Sequence, residues 1–321
     1  MKVTKDMINE GLRSYLGPLK IVSFLMSRKW GIKLLLILGA FSKGKKIPGV
    51  HCDTLYIPSK NGGPAIRVRV IKPQQEKGKL PAMLYLHGGG YVLGNPDSFL
   101  SLIKQFIDTR PCVVIAPDYR KALTAPFPAG FNDCYDTLLW AKENANALGI
   151  DNKQFMVAGH SAGGGLTAAV TLKARDTQEA SIAFQMPIYP MIDDRQLTPS
   201  AMAMDSPVWN TKVNAFAWRL YLSNLIKNNV EINAYAAPAR NNDYSHFPPT
   251  ITFVGELEPF KDETIAYVDA LKNAGAKVRF RLFKGCYHGF DLFATQSLVA
   301  KEAINFTLES YAEYYDTYIN V

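Results

Sequence analysis

A serine sits between glycines at Gly159-His160-Ser161-Ala162-Gly163, directly after the apolar run Phe155 to Ala158 and before the helix-like run Leu166 to Lys173. A serine on such a strand-to-helix turn projects its hydroxyl out of a sheet, where it can attack a carbonyl carbon. The strained turn tolerates only small neighbours, and the chain supplies Gly159, Gly163, Gly164 and Gly165. The helix behind it points its N-terminus at the site and favours developing negative charge. The Gly-x-Ser-x-Gly pattern arises often by chance; the strand before it and the helix after it give this one its weight.

A second signal is His87-Gly88-Gly89-Gly90, following the apolar run Ala82 to Leu86. Consecutive glycines leave backbone N–H groups bare, and a tetrahedral oxyanion needs such preorganised donors. A serine hydroxyl also needs a base, and the base an orienting carboxylate. Of five histidines, His87 belongs to the glycine loop, His160 flanks the serine, His51 precedes the expected sheet and His246 lies in a polar stretch. His288, in the loop Gly285 to Phe290 beyond a late strand, is the best base. An acid between 161 and 288 is then required after a strand. The segment Gly255 to Glu263 offers Glu256, Glu258, Asp262 and Glu263.

The elements that must position these groups alternate. Short apolar runs at Ala82 to Leu86, Cys112 to Ala116, Phe155 to Ala158, Ile182 to Met186, Thr250 to Val254 and Val278 to Phe283 read as buried strands. Amphipathic stretches at Asp97 to Asp108, Gly130 to Ala147, Ala162 to Arg175, Asp262 to Ala274 and Ser297 to Tyr315 read as the intervening helices. This is an α/β pattern, a mostly parallel sheet with helices on both faces. Asp53 to Ser59 and Ala65 to Val70 flank Asn61-Gly62-Gly63 as a hairpin. Residues 1–48 read as an N-terminal helical segment and 195–232 as an inserted one, together a cap. Residues 49–194 and 233–321 make the body.

Composition bounds the rest. The 321 residues are 48% hydrophobic and 20% charged, with Gly 23 and Pro 19, which excludes a disordered chain, a fibre or a coiled coil. Cys52, Cys112, Cys134 and Cys286 are too sparse for a disulfide framework and form no Cys-x-x-Cys pair. With no His-Glu-x-x-His and no carboxylate-rich loop, no metal and no cofactor are expected. The start lacks a secretory h-region. The longest apolar run, Leu34 to Phe41, is far shorter than the roughly 20 residues that span a bilayer. A cytoplasmic protein with reduced thiols is expected. The net charge of +8 arises wholly in residues 1–46, which hold ten bases and two acids. A solvated helical face is the plainer reading of that segment, a weak contact with an anionic membrane surface the functional one. Nucleic acid is not an expected partner, because no binding-fold signal accompanies the charge.

Here the sequence resembles the hormone-sensitive-lipase-like carboxylesterases of the α/β-hydrolase fold, over about residues 50–315. The resemblance rests on His87-Gly88-Gly89-Gly90-Tyr91, Asp118-Tyr119-Arg120 with Pro126-Phe127-Pro128-Ala129, Ser161-Ala162-Gly163-Gly164 and His288-Gly289-Phe290. Tyr189 to Arg195 and Tyr235 to Arg240 are similar to segments of its acetyl-esterase-like bacterial members. In that family the acid opens an Asp-Pro-x-x-Asp-Glu segment, which implies Glu258 here, with Pro259, Asp262 and Glu263 matching and Asp262 as the alternative. The family often carries an acidic residue before the serine; His160 removes that charge. The resemblance implies a carboxylic ester hydrolase working through an acyl-enzyme on short-to-medium acyl esters with water. Ser161 is the implied nucleophile and His288 the base; the amides of Gly88, Gly89 and Ala162 form the oxyanion hole. Tyr91, Val208, Trp209, Trp218 and Phe290 are candidates for the substrate pocket. Cys286, two residues before the base, reads first as a plain buried cysteine. The alternatives are a non-catalytic ligand-binding protein of the same fold and a membrane-surface deacylase of lipid or carbohydrate esters; a homodimer is compatible with either.

Overall fold

Eight strands form one sheet in the order β1-β2-β4-β3-β5-β6-β7-β8 in the computed structural model, which describes residues 2–60, 62–75 and 78–319. The strands are β1 (Val50–Ile57), β2 (Ile66–Pro73), β3 (Leu80–Leu86), β4 (Val113–Pro117), β5 (Ile150–His160), β6 (Ile182–Ile188), β7 (Thr250–Leu257) and β8 (Val278–Tyr287). β1 pairs antiparallel with β2, and β2 antiparallel with β4. From β4 across to β8 every pairing is parallel. β3 and β4 are buried along their whole lengths, as strands covered on both faces must be.

All six strands expected after residue 80 are present, most of them longer at the ends. The β1–β2 hairpin is also present, although Asn61 of its turn lies outside the described residues. His51, expected ahead of the sheet, is instead inside β1 opposite Lys72. Its neighbours Val50 and Cys52 point into the core, so the period-2 alternation extends the strand back past Asp53 and leaves His51 exposed.

The helix Ala162–Thr177 packs its small residues, buried from Ala162 through Leu172, against the centre of the sheet. Leu298–Tyr318 covers the other face, where Tyr311 sits edge-on to Phe106 and tilted against Phe184. Residues 5–15 form two 3-10 turns, followed by α1 (Leu16–Met26) and α2 (Lys29–Ala40). The corner between α1 and α2 is tight enough that a Cβ on Gly31 would come within 2.2 Å of the Leu25 carbonyl oxygen, so only glycine fits there. Residues 199–227 hold three further helices, Pro199–Ala203, Thr211–Tyr221 and Ser223–Lys227. Among the described residues no helix is long and apolar enough to cross a membrane.

Candidate active site

Four loops meet at the carboxyl edge of the sheet, where open α/β sheets place their ligands. They follow β3 (His87 to Gly90), β5 (Ser161), β7 (Glu258) and β8 (His288). Ser161 has φ 60° and ψ −120°, a conformation an ordinary residue holds only when its surroundings enforce it. The enforcement is steric. A Cβ on Gly163 would lie 2.0 Å from the Leu86 carbonyl oxygen, and one on Gly159 2.4 Å from the Gly163 carbonyl oxygen. Strand, turn and helix can close on one another only with glycine at both positions.

The Ser161 Oγ is 2.8 Å from His288 Nε2, and His288 Nδ1 is 2.5 Å from Glu258 Oε2. The other carboxylate oxygen of Glu258 accepts the Gly255 amide at 2.8 Å. Glu258 is fully buried, and the ring of His288 is boxed by Tyr189, Phe260 and Trp209 at centroid distances of 4.9, 5.0 and 6.1 Å. The remaining acids of that segment hold backbone. Glu256 accepts the Gly285 amide at 2.8 Å, Asp262 the Ser200 amide at 2.7 Å and Glu263 the Ile192 amide at 2.9 Å. Burial raises the Glu263 carboxyl well above the usual carboxylate range.

The glycine loop lies against the serine: a Cβ on Gly88 would be 2.9 Å from the His160 carbonyl oxygen and 3.6 Å from the Ser161 Cβ. Among the described residues the amides of Gly88, Gly89 and Ala162 donate to no protein acceptor. They are free to face a ligand. His87 anchors the loop. Its ring stacks on Tyr119 at 4.1 Å, its Nδ1 is 2.8 Å from the Gly88 carbonyl oxygen, and the Tyr119 hydroxyl donates to the His87 carbonyl at 2.8 Å. Burial lowers the His87 imidazole to about 3, so it is neutral and Nδ1 carries the proton that Gly88 accepts.

His160, the departure from the family pattern, is also buried, and burial lowers it to about 3. Its Nδ1 lies 3.0 Å from the Tyr85 hydroxyl, so a neutral hydroxyl–imidazole pair braces the turn. Behind His288, the Tyr189 hydroxyl donates to Asp291 Oδ1 at 3.0 Å. Burial raises Asp291 to about 7. The sequence gives no role to Tyr85, Tyr189 or Asp291; the available signals are Tyr189 at the head of a segment similar to the family's and Asp291 three residues after His288.

A cavity of about 360 Å³ opens over Ser161. Val208 and Trp209 line it, together with Val22, Met26 and Leu35 from α1 and α2. The Trp209 indole is held by a 3.1 Å hydrogen bond to Asn214 Oδ1. Tyr91, Trp218 and Phe290, expected in the same pocket, are in the packed interior. Tyr91 stacks on Tyr221 at 3.9 Å and donates its hydroxyl to the Met191 carbonyl at 2.7 Å, with Trp218 beside it at 5.5 Å. Phe290 packs against both Phe253 and Phe283, at 5.9 and 5.4 Å. These rings find aromatic partners in the core, and that packing outweighs exposure in a cleft. Cys286 is fully buried, and burial pushes its thiol up. Among the described residues no cluster of three His, Cys, Asp or Glu side chains could hold a metal ion.

A mostly parallel sheet carrying a serine on this strained strand-to-helix turn defines a hydrolase of the α/β class. The chain belongs to that family: a family model described as the alpha/beta hydrolase fold matches residues 83–292. It is 31% identical over 261 residues to esterase LipI of Mycobacterium tuberculosis, covering 80% of this chain and 81% of that one. It is 34% identical over 242 residues to carboxylesterase NlhH of the same organism, covering 74% and 75%. Among solved structures a bacterial heroin esterase superposes with a TM-score of 0.88 at 32% identity, over 97% of this chain and 99% of that one. The chain is a carboxylic ester hydrolase.

Proposed function

We propose that Ser161 is the nucleophile of a carboxylesterase, His288 its general base and Glu258 the acid that orients the imidazole. His288 Nε2 takes the Ser161 proton as Oγ attacks the ester carbonyl. The tetrahedral oxyanion is received by the amides of Gly88, Gly89 and Ala162. His288 returns the proton to the leaving alcohol, and the acyl group remains on Oγ. Water then repeats the sequence, releasing the carboxylic acid and restoring the hydroxyl. The observation that carries this reading is the span of one imidazole, 2.8 Å to the serine on one side and 2.5 Å to a buried carboxylate on the other. Ser161→Ala is expected to remove p-nitrophenyl ester hydrolysis by about 10⁴-fold or more while leaving the circular dichroism spectrum intact. Retained activity in that variant overturns the assignment.

The acyl esters are short to medium in chain length. Support comes from the cavity volume of about 360 Å³, near the lower end of the roughly 300–1,000 Å³ typical of ligand sites. Residues 1–48 and 195–232 act as a cap over a body of 49–194 and 233–321. Both segments reach the cavity, the first through Val22, Met26 and Leu35 and the second through Val208 and Trp209. A hydrolysis panel from acetyl to dodecanoyl esters tests the chain length; rates rising steadily to dodecanoyl contradict it. Four free, buried cysteines suit a reducing, cytoplasmic compartment.

A further inference from the structure

The helix α2 is apolar on two sides. Its inner side faces the protein and the cavity through Ile32, Leu35 and Gly39. Its outer side carries Trp30, Leu34, Ile37, Leu38 and Phe41, spaced i, i+4, i+7, i+8 and i+11, so they form a single stripe. That stripe is in solvent: Phe41 is 85% exposed, Ile37 61% and Trp30 55%. Ile21 and Phe24 of α1 extend it, and both are more than half exposed. A contiguous exposed apolar patch of this kind marks an interaction surface.

The charges beside the stripe identify the partner. Arg28, Lys29 and Lys33 lie at its start, and Lys43, Lys45 and Lys46 just past its end, all exposed. Among the described residues only Lys43 of these six forms an ion pair with a carboxylate, Asp118 at 2.7 Å. An apolar stripe framed by five bases without a carboxylate partner is the pattern of an interfacial helix that lies in the surface of an anionic bilayer. A second copy of the chain fits poorly, since a two-fold contact through this face would set the bases of both copies against each other.

We propose that α1 and α2 dock this enzyme on an anionic phospholipid surface, with Trp30, Ile37 and Phe41 in the acyl–headgroup boundary. The inner sides of the same two helices wall the cavity over Ser161, and Phe293, itself 44% exposed, lines it too. Docking therefore brings the cavity to the lipid surface, and the site takes acyl esters that partition into lipid. That substrate preference rests on the esterase mechanism proposed above.

The test uses the full chain bearing Ser161→Ala, so that docking is read apart from catalysis, and phosphatidylcholine vesicles with or without phosphatidylglycerol. Cosedimentation is expected to be at least about tenfold stronger with phosphatidylglycerol and to weaken as salt rises. Brominated lipid is expected to quench the Trp30 fluorescence. Ile37→Glu/Phe41→Glu, at exposed positions off the cavity, is expected to lower binding at least about tenfold. Absent binding, or equal binding to neutral vesicles, overturns the proposal. So does a dimer in light scattering that the double variant dissolves without any vesicle binding. In the active chain, the double variant is expected to lose hydrolysis of a vesicle-held ester while keeping that of a soluble butanoate. Equal hydrolysis of the vesicle-held ester overturns the preference for lipid-partitioned esters. Intact docking without soluble-ester hydrolysis by the active chain overturns the esterase mechanism and leaves the docking surface standing.

Discussion

The Tyr85 hydroxyl, on β3, lies 3.0 Å from Nδ1 of His160, the last residue of β5 and the one before Ser161. Both side chains are buried and the imidazole is neutral; in the tautomer with its proton on Nε2, the hydroxyl donates and Nδ1 accepts. Tyr85→Phe removes the donor and leaves a buried acceptor unpaired. The expected cost is about 1–3 kcal/mol of unfolding free energy in urea denaturation. Unchanged stability would show that the pair does not brace the turn.

The acid of the proposed triad separates cleanly from its neighbour. Glu258 reaches His288, whereas Asp262 accepts the Ser200 amide and pairs with Lys261. Glu258→Gln is expected to lower kcat by roughly 10³–10⁴-fold, because the imidazole loses its orienting charge and its tautomer. Asp262→Asn is expected to change kcat little. Steady-state kinetics of the two variants decide the matter, and the reverse ranking moves the acid to Asp262.

The glycine loop and the serine turn could be read from local sequence because each motif is a short run whose backbone demands dictate the residue types. Assignment of Glu258 needed the family resemblance: four carboxylates share Gly255 to Glu263, and their spacing alone does not say which one turns toward His288. The Tyr85–His160 and Tyr189–Asp291 pairs were out of reach, since they join residues 75 and 102 positions apart. Tyr91, Trp218 and Phe290 were misplaced for a related reason. An aromatic side chain near a site motif suits a cleft and a core equally, and only its stacking partners decide. In the N-terminal segment the excess of bases was countable, but Leu34 to Leu38 read as one undivided apolar run. Which of those residues face outward follows from how α2 lies on the body.

Asp291 links stability to pH. Burial raises its carboxyl to about 7 from an ordinary 3.8, so it is protonated in the folded chain where the unfolded chain is already ionised. Its contribution to stability is full below about 3.8 and is lost as pH rises through about 7. Asp291→Asn keeps an acceptor for Tyr189 and removes the ionisation. Relative to the parent, the variant is therefore expected to gain on the order of a few kcal/mol between pH 4 and pH 8 in chemical denaturation. A pH-independent difference would contradict the raised carboxyl.

The most direct measurement of the central claim is covalent labelling with diethyl p-nitrophenyl phosphate, followed by peptide mapping in a mass spectrometer. The phosphoryl group bonds to an activated serine oxygen as p-nitrophenolate leaves. The proposed mechanism predicts one adduct, on Ser161, formed in step with loss of esterase activity and far more slowly in His288→Ala. A stoichiometric adduct on another residue, or full inactivation with Ser161 unmodified, would contradict it.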